Sequence, residues 1–520
     1  MTDLFPTGFF DRGVALAPDR LCLEYRDTRY TYGEAQVATW RVANALKARG
    51  VSAGDHIGVY SPNNATGFLS ILAILRLGGV WVNLNCLNSV EETFHYLKKT
   101  EAQVLFLHNR FFPMLDDFRK ACPEIRRFIG IDGQAPGLDF TFEQLLEEGE
   151  AAPPPPPDAD PDRLASLFPT GGTTGDPKAV MFTNRMWTRM IKTYCATLAS
   201  RKPPVHLLIA PMTHGGGGIA MSLMPLGASH IIMDGFDIDR VFSVIETRGV
   251  THLFLPPTAI YQMLAHPDVQ DKDYRSLEVI HTGSAPVPAD RLREAVEVFG
   301  PVLAQTYGQS EAPLICTCFT PQEIARAIKN CPQRLKSCGR ATDGVEIGIM
   351  DETGAILPTG ERGEIVVKSD LVTPGYYHNP EATAQLQKNG WHRTGDVGYR
   401  DEDGFVYIVD RIKEMIISGG FNIFPAEIEN AIMSHDAVQE CAVVGVPDEK
   451  WGEAVKAVVT LRPGHSASEQ QIIAHCKNLL GPVRTPKTVE FWDVLPKSAV
   501  GKILRREVRK TFWREADRAI

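Results

Sequence analysis

Between residues 55 and 109, short runs of apolar and β-branched residues alternate with longer stretches whose apolar positions recur every three or four residues: "HIGVYS", "GFLSILAILRLGG", "VWVNLN", "EETFHYLKKT" and "QVLFLH". This alternation predicts strand, helix, strand, helix, strand around a largely parallel sheet. A second series runs from about residue 205 to 303, with "VHLLIA", "SHIIMD", "THLFLP" and "LEVIHTG" as strands. After residue 339 the texture becomes that of β-hairpins, in "VEIGIMDETGAILPTGERGEIVVKS" and "DVGYRDEDGFVYIVD", with Gly-containing turns between alternating strands. Past residue 411 it changes again, to an α+β pattern with "PAEIENAIMSH" and "SEQQIIAHCKNLL" as helices and "ECAVVGVP" and "EAVKAVVTLRP" as strands. The expected fold class is α/β: a large N-terminal domain of stacked α/β subdomains plus a β-rich subdomain, residues 1–410, and a small mobile α+β domain, residues 411–520.

Length agrees with this division, because 520 residues exceed what one ordinary core serves. Five consecutive prolines in "EEGEAAPPPPPDADPDR" predict an extended surface connector between the two α/β series. The most apolar run, "FLSILAILRLGGVWVNL", is broken by Arg76, Gly78 and Gly79 before it reaches the length of a membrane span, so no transmembrane segment is expected and the chain reads as soluble. The N-terminus lacks a basic stretch followed by an apolar core, and the ten cysteines contain no Cys-x-x-Cys pair; both point to a reducing cytoplasm. A net charge of −9 disfavours nucleic acid as a partner, although local lysines and helix N-termini can still hold a small polyanion.

The segment "FPTGGTTGDPKAV", residues 168–180, is crowded with Gly and Thr and ends near a lysine. Glycines let backbone N–H groups curl around an anion, and Lys178 adds a mobile positive charge. The Walker A pattern is not matched, because Lys178 follows Pro177 and precedes Ala179. On composition alone, a flexible turn and a phosphate cradle are equally good readings.

Further motifs follow in a fixed order: "PMTHGGG", "TGSAP", "TYGQSE", "RTGDVG", "DRIKEMIISGGFNIFPAEIE" and "PKSAVGKILRRE". With "TGGTTGDPK" they resemble, over nearly the whole chain, the adenylate-forming enzymes, which include acyl- and aryl-CoA ligases, luciferases and adenylation domains of peptide synthetases. The resemblance implies an ATP-dependent acid–CoA ligase, in which a carboxylic acid and ATP give acyl-AMP and pyrophosphate, and the thiol of coenzyme A then gives acyl-CoA and AMP. It implies a phosphate loop of Thr170, Gly171, Gly172, Thr173, Thr174, Gly175 and Lys178. It further implies Mg²⁺ on Glu311, and an adenine site between Tyr307 and the loop of Gly283, Ser284, Ala285 and Pro286, flanked by Thr306 and Gly308. Asp396 would take the ribose hydroxyls, with Arg411 beside it; Lys413 would be the hinge, and Gly419 and Gly420 would line the pantetheine tunnel. Lys502 would be the adenylation lysine and His214 a wall of the acyl pocket. Taken singly, each of these residues is an ordinary turn, surface or core residue.

Two departures from the family pattern stand in the phosphate loop: Gly171 replaces a serine and Ala179 a glycine. Gly215 stands where amino-acid-activating relatives carry an aspartate, and neither "HGGGGIAMSLMP" nor "TYGQSEAPLICTC" offers an arginine for a second carboxylate. A fatty or aryl monocarboxylic acid is therefore expected, with the glycine run read as room for its tail. Two rival functions remain: an acyl-adenylating enzyme that loads a carrier protein, and a non-catalytic nucleotide-binding homologue. The resemblance leaves open whether the chain forms a homodimer.

Overall fold

Seven strands make the first sheet, in the order Phe140–Thr141, Arg127–Ile131, Val104–His108, His56–Tyr60, Val80–Asn83, Leu164–Pro169 and Ala179–Thr183. All neighbours are parallel except the last pair. The computed structural model of the protein describes residues 5–170, 177–198, 200, 202–448, 450–497 and 503–513. The apolar run that approached membrane length is the crossover helix Ala65–Leu77, buried at every position. Asn64 caps it by accepting from Gly67 N at 2.6 Å, and Gly78, at φ 83°, ends it in the left-handed conformation. Arg76, in its last turn, is buried and donates to both carboxylate oxygens of Asp11, at 3.0 and 2.7 Å. Among the described residues no helix is long and apolar enough to cross a membrane.

The second sheet has nine strands, in the order Arg340–Ala341, Ala312–Phe319, Leu303–Gln309, Val279–Thr282, His252–Phe254, Val205–Leu208, Ser229–Ile232, Leu21–Tyr25 and Thr28–Thr31. Its centre is parallel, as the sequence suggested; the N-terminal hairpin at one edge and the antiparallel pair at the other were not foreseen. Its register sets His206 opposite both His230 and His252, so three imidazoles share one row. All three are buried, as is His281 one strand further along. His206 Nδ1 lies 3.1 Å from His230 Nδ1, His252 Nδ1 2.8 Å from Thr251 Oγ1, and His281 Nε2 2.7 Å from Thr306 Oγ1. Burial penalises the imidazolium, so His230 and His281 are pushed down to about 3 and His252 to about 4.

The hairpin-textured region forms an antiparallel sheet of Val345–Met350, Gly363–Ser369, Trp391–Arg400 and Gln387–Lys388, with Val406–Arg411 paired to Trp391–Arg400. A fourth sheet, of Phe421–Ile423, Ile416–Ser418, Gly452–Leu461 and Val438–Asp448, has Thr488–Phe491 parallel to Gly452–Leu461. Helices Pro425–Met433 and Glu469–Leu480 bury Ile428, Ile432, Ile472 and Cys476 in its core. All ten cysteines are free, most of them buried.

Candidate active site

The Gly/Thr loop connects two antiparallel strands, with Pro169 opposite Ala179. Its base is closed from both sides: Thr170 N donates to Lys178 O at 2.9 Å, and Lys178 N donates to Thr170 Oγ1 at 3.2 Å. Thr170 thus fastens the loop while its hydroxyl proton stays available to a ligand. Gly171, Gly172, Thr173, Thr174 and Gly175 lie outside the described residues.

Glu311 sits in the tight connection between Leu303–Gln309 and Ala312–Phe319 and is 9% exposed. Gly308 allows that connection, since a Cβ there would meet Leu314 N at 2.7 Å and Ala312 O at 2.9 Å. Tyr376 donates its hydroxyl to Glu311 Oε1 at 2.6 Å. The Lys178 ammonium stands 4.8 Å from the centroid of the same ring. A buried carboxylate with a neutral donor on one oxygen, and with no ion pair among the described residues, has the chemistry to hold a hard cation such as Mg²⁺. No cluster of three or more His, Cys, Asp or Glu exists among the described residues to hold a metal by protein ligands alone.

Asp396, 4% exposed, lies in Trp391–Arg400 directly opposite Arg411. Its Oδ1 accepts from Arg411 Nε at 3.2 Å and its Oδ2 from the Tyr307 hydroxyl at 2.7 Å. Tyr307, expected to offer a flat face to adenine, belongs to the apolar cluster that includes Ala312, Cys316, Ile347 and Val367, and its hydroxyl braces Asp396. The two carboxylates, Glu311 and Asp396, are thus held around the single segment 307–311, one by Tyr376 and the other by Tyr307.

The other groups cluster at the carboxyl ends of the parallel strands of the second sheet, where open α/β sheets bind ligands. Gly283, Ser284, Ala285 and Pro286 follow Val279–Thr282, with Ser284 at φ 68°. A Cβ on Gly283 would meet Thr306 O at 3.3 Å, and Thr306 is itself held by His281. His214 follows Val205–Leu208 and is the N-cap residue of helix Gly215–Leu223; burial lowers its pKa, so it is neutral at pH 7. The glycine run does not provide the space expected of it. A Cβ on Gly216 would lie 2.5 Å from Ala210 O, one on Gly217 would strike Met212 O, and only Gly215 faces open space. These glycines let the helix start close against its own loop.

Lys413 is exposed in the short turn Ile412–Glu414. Gly419 and Gly420, at φ 58° and 79°, form the two-residue turn between Ile416–Ser418 and Phe421–Ile423. A Cβ on Gly419 would also lie 2.5 Å from Trp451 Cε3. Lys502 lies outside the described residues. Downstream of it, Arg505 is a half-buried hub: Nη1 donates to Asp410 at 3.0 Å and to Glu414, and Nε donates to Glu429 at 2.8 Å. Neither Arg505 nor Tyr376 was singled out from sequence. Tyr376 lies in the turn-rich "TPGYYHNP", whose text gives no sign of the strand it is stitched to.

Comparison with known proteins agrees with this geometry. The model of the family described as AMP-binding enzyme matches residues 10–377, and that of the AMP-binding enzyme C-terminal domain matches residues 427–502. The chain is 35% identical over 508 residues to a medium/long-chain-fatty-acid–CoA ligase of Mycobacterium tuberculosis, covering 95% of this chain and 88% of that one. It is 34% identical over 505 residues to a feruloyl-CoA synthase of an Amycolatopsis species, covering 96% and 98%. Among solved structures, an anthranilate CoA ligase in complex with anthranoyl-AMP superposes with a TM-score of 0.89 at 26% identity, covering 98% of this chain and 97% of the other.

Proposed function

The chain belongs to the AMP-binding enzyme family, and on that premise we propose that it is an ATP-dependent acid–CoA ligase acting on a fatty or aryl monocarboxylic acid. The observation that carries the reading is the pair of buried carboxylates, Glu311 and Asp396, held by tyrosines around one segment at the ends of the parallel strands. Glu311 shares Tyr376 with the phosphate-loop lysine, and Asp396 pairs with Arg411, so one carboxylate would serve the phosphate tail and the other the ribose of a nucleoside triphosphate.

In the first half-reaction an acid oxygen bonds to the α-phosphorus of ATP while the bond to the β-phosphate oxygen breaks and pyrophosphate leaves. Little covalent chemistry falls to the protein, so positioning and charge neutralisation supply the rate. Lys178 and the Gly/Thr loop hold the β- and γ-phosphates, Asp396 orients the ribose, and Lys502 contacts the acid carboxylate and the α-phosphate. Mg²⁺ held on Glu311 neutralises phosphate charge when bound. Neutral His214 lies at the acyl side, where it leaves the acid's own charge uncompensated until Lys502 arrives.

In the second half-reaction the thiol sulfur of coenzyme A bonds to the acyl carbon, its proton is lost, and AMP leaves with the electrons of the acyl–oxygen bond. One lysine on a small domain cannot serve both half-reactions in one pose, because the thiol needs an open path to the acyl-AMP once pyrophosphate has left, so residues 411–520 reorient about Lys413 between the two steps. In the present arrangement the small domain is tied to the large one by Arg362 to Glu427 at 3.1 Å and by Arg505 to Asp410 at 3.0 Å. The free thiols and the use of ATP and coenzyme A support a cytoplasmic place of action.

The test is acid-dependent exchange of pyrophosphate into ATP across short-chain, long-chain and aryl acids, followed by thioester formation with coenzyme A or a holo carrier protein. Exchange with no acid of the panel would favour a silent nucleotide-binding protein; transfer to the carrier alone would move the acceptor from coenzyme A to a carrier arm. Lys502→Ala separates the steps: acyl-AMP formation is lost, whereas supplied acyl-AMP is still converted to thioester. Equal survival of both steps would remove Lys502 from its role.

A further inference from the structure

Tyr376 occupies a position that the family comparison does not explain. Its segment is stitched to the strand that leaves the phosphate loop: Met181 N donates to Gly375 O at 3.0 Å, and Tyr377 N donates to Ala179 O at 2.8 Å. The same segment holds the Glu311 connection through Thr373 N, which donates to Glu311 O at 2.8 Å. The Tyr376 backbone is fixed in turn by Thr383 Oγ1, which accepts from its N–H at 2.9 Å. The side chain, 7% exposed, therefore has a defined place, and from it the ring reaches Lys178 while the hydroxyl reaches Glu311.

Resting on the functional reading above, we propose that Tyr376 is a positioning residue that couples the phosphate-binding lysine to the metal-binding carboxylate. Its hydroxyl engages one oxygen of Glu311 and so fixes the direction in which the carboxylate's remaining lone pairs meet Mg²⁺. Its face gives the Lys178 ammonium a resting place when no phosphate is present, 4.8 Å from the ring centroid. Binding of the triphosphate draws Lys178 off the ring. Departure of pyrophosphate returns it, which lowers the cost of losing that anion midway through the reaction. One side chain thereby serves the metal through its polar tip and pyrophosphate release through its face.

Two variants separate the tip from the face. Tyr376→Phe keeps the ring at the same volume and removes the hydroxyl; Tyr376→Leu removes both. The probe is α,β-methylene ATP, which binds but cannot be cleaved between its α- and β-phosphates, titrated calorimetrically in EDTA and in Mg²⁺, together with inorganic pyrophosphate titrated in EDTA. For Tyr376→Phe the affinity in EDTA stays at the wild-type value, while the gain in affinity on adding Mg²⁺ falls about tenfold, as expected for loss of a hydrogen bond to a charged group. In the exchange assay this variant needs about tenfold more Mg²⁺ for half-maximal rate at an unchanged KM for the acid. For Tyr376→Leu, pyrophosphate binds about two- to fivefold tighter than to Tyr376→Phe, because Lys178 has lost its resting face. A wild-type response of Tyr376→Phe to Mg²⁺ would overturn the coupling to Glu311. Equal pyrophosphate affinity in the two variants would overturn the coupling to Lys178. Failure of the unaltered protein to bind the analogue would sink the functional reading itself, and this inference with it.

Discussion

Acid should open the second sheet through its buried histidines. Its row of His230, His206 and His252, with His281 beside it, is buried and neutral. In the unfolded chain each imidazole titrates near 6.5; in the folded protein His230 and His281 are pushed down to about 3 and His252 to about 4. Above about pH 6.5 neither state binds these protons, and the folded state keeps its full stability. Below that value the unfolded state takes up protons that the folded state refuses, and stability falls with pH until the folded values are reached. The cost is about 1.4 kcal/mol per histidine for each pH unit. At pH 5 this amounts to about 2 kcal/mol for each of the three, or about 6 kcal/mol together, comparable with the whole stability of an ordinary domain. Glu278, the acid that acts on His252, offsets only part of the burial penalty there. Hydrogen exchange followed by mass spectrometry at pH 7.5, 6.5, 5.5 and 5.0, corrected for intrinsic rates, reads this opening locally through peptides covering 205–208, 229–232, 252–254 and 279–282. His230→Gln and His281→Gln should each reduce the slope of protection against pH by about 1.4 kcal/mol per unit below pH 6.5, whatever they do to stability at neutrality. Wild-type slopes in both variants would refute the assignment of acid sensitivity to this row.

Three further outcomes follow from particular contacts. Tyr307→Phe removes the donor that holds Asp396 Oδ2 at 2.7 Å, and should raise KM for ATP about tenfold while leaving its response to Mg²⁺ unchanged, because Glu311 keeps Tyr376. Gly419→Ala meets both a φ of 58° and the Trp451 ring; it should destabilise the hairpin turn by about 1–3 kcal/mol, read as faster exchange over 416–423, and should slow thioester formation more than adenylation. Gly171→Ser restores the hydroxyl usual in this loop and should lower KM for ATP; an unchanged or higher value would mean that the loop binds its anion through backbone N–H groups alone.

Much of the fold was legible because local pattern and global architecture agree here. The 3.6- and 2-residue periodicities that predicted alternating helices and strands over 55–109 fall on helix Ala65–Leu77 and its flanking parallel strands, and the Gly-rich turns after residue 339 fall between antiparallel ones. What was not legible was pairing between segments far apart in sequence. Leu21–Tyr25 lies beside Ser229–Ile232, yet nothing in its own pattern distinguishes that sheet edge from any other. Gly216 and Gly217 give no room to a tail for a related reason: sequence shows that a side chain is absent, but only the fold shows what fills its place, here the backbone oxygens of Ala210 and Met212.

The site divides along the same line. Glu311 and Asp396 stand in motifs that can be recognised from order and spacing, because the chemistry proposed for each needs a particular residue at a particular turn. Tyr376 and Arg505 act through other residues, and their roles exist only once Ala179–Thr183 meets the 373–377 segment and helix Arg505–Lys510 meets Asp410. A tyrosine in a proline- and glycine-rich turn has no periodicity to mark it, and its hydroxyl becomes informative only when a carboxylate is found 2.6 Å away. The opening phosphate loop shows the consequence. Composition leaves it balanced between a turn and an anion cradle; the structure shows its base, pinned between Thr170 and Lys178, and a lysine resting on the ring whose hydroxyl holds Glu311. The anion-binding role proposed for that lysine therefore passes through Tyr376, a residue distant in sequence that only the fold brings to it.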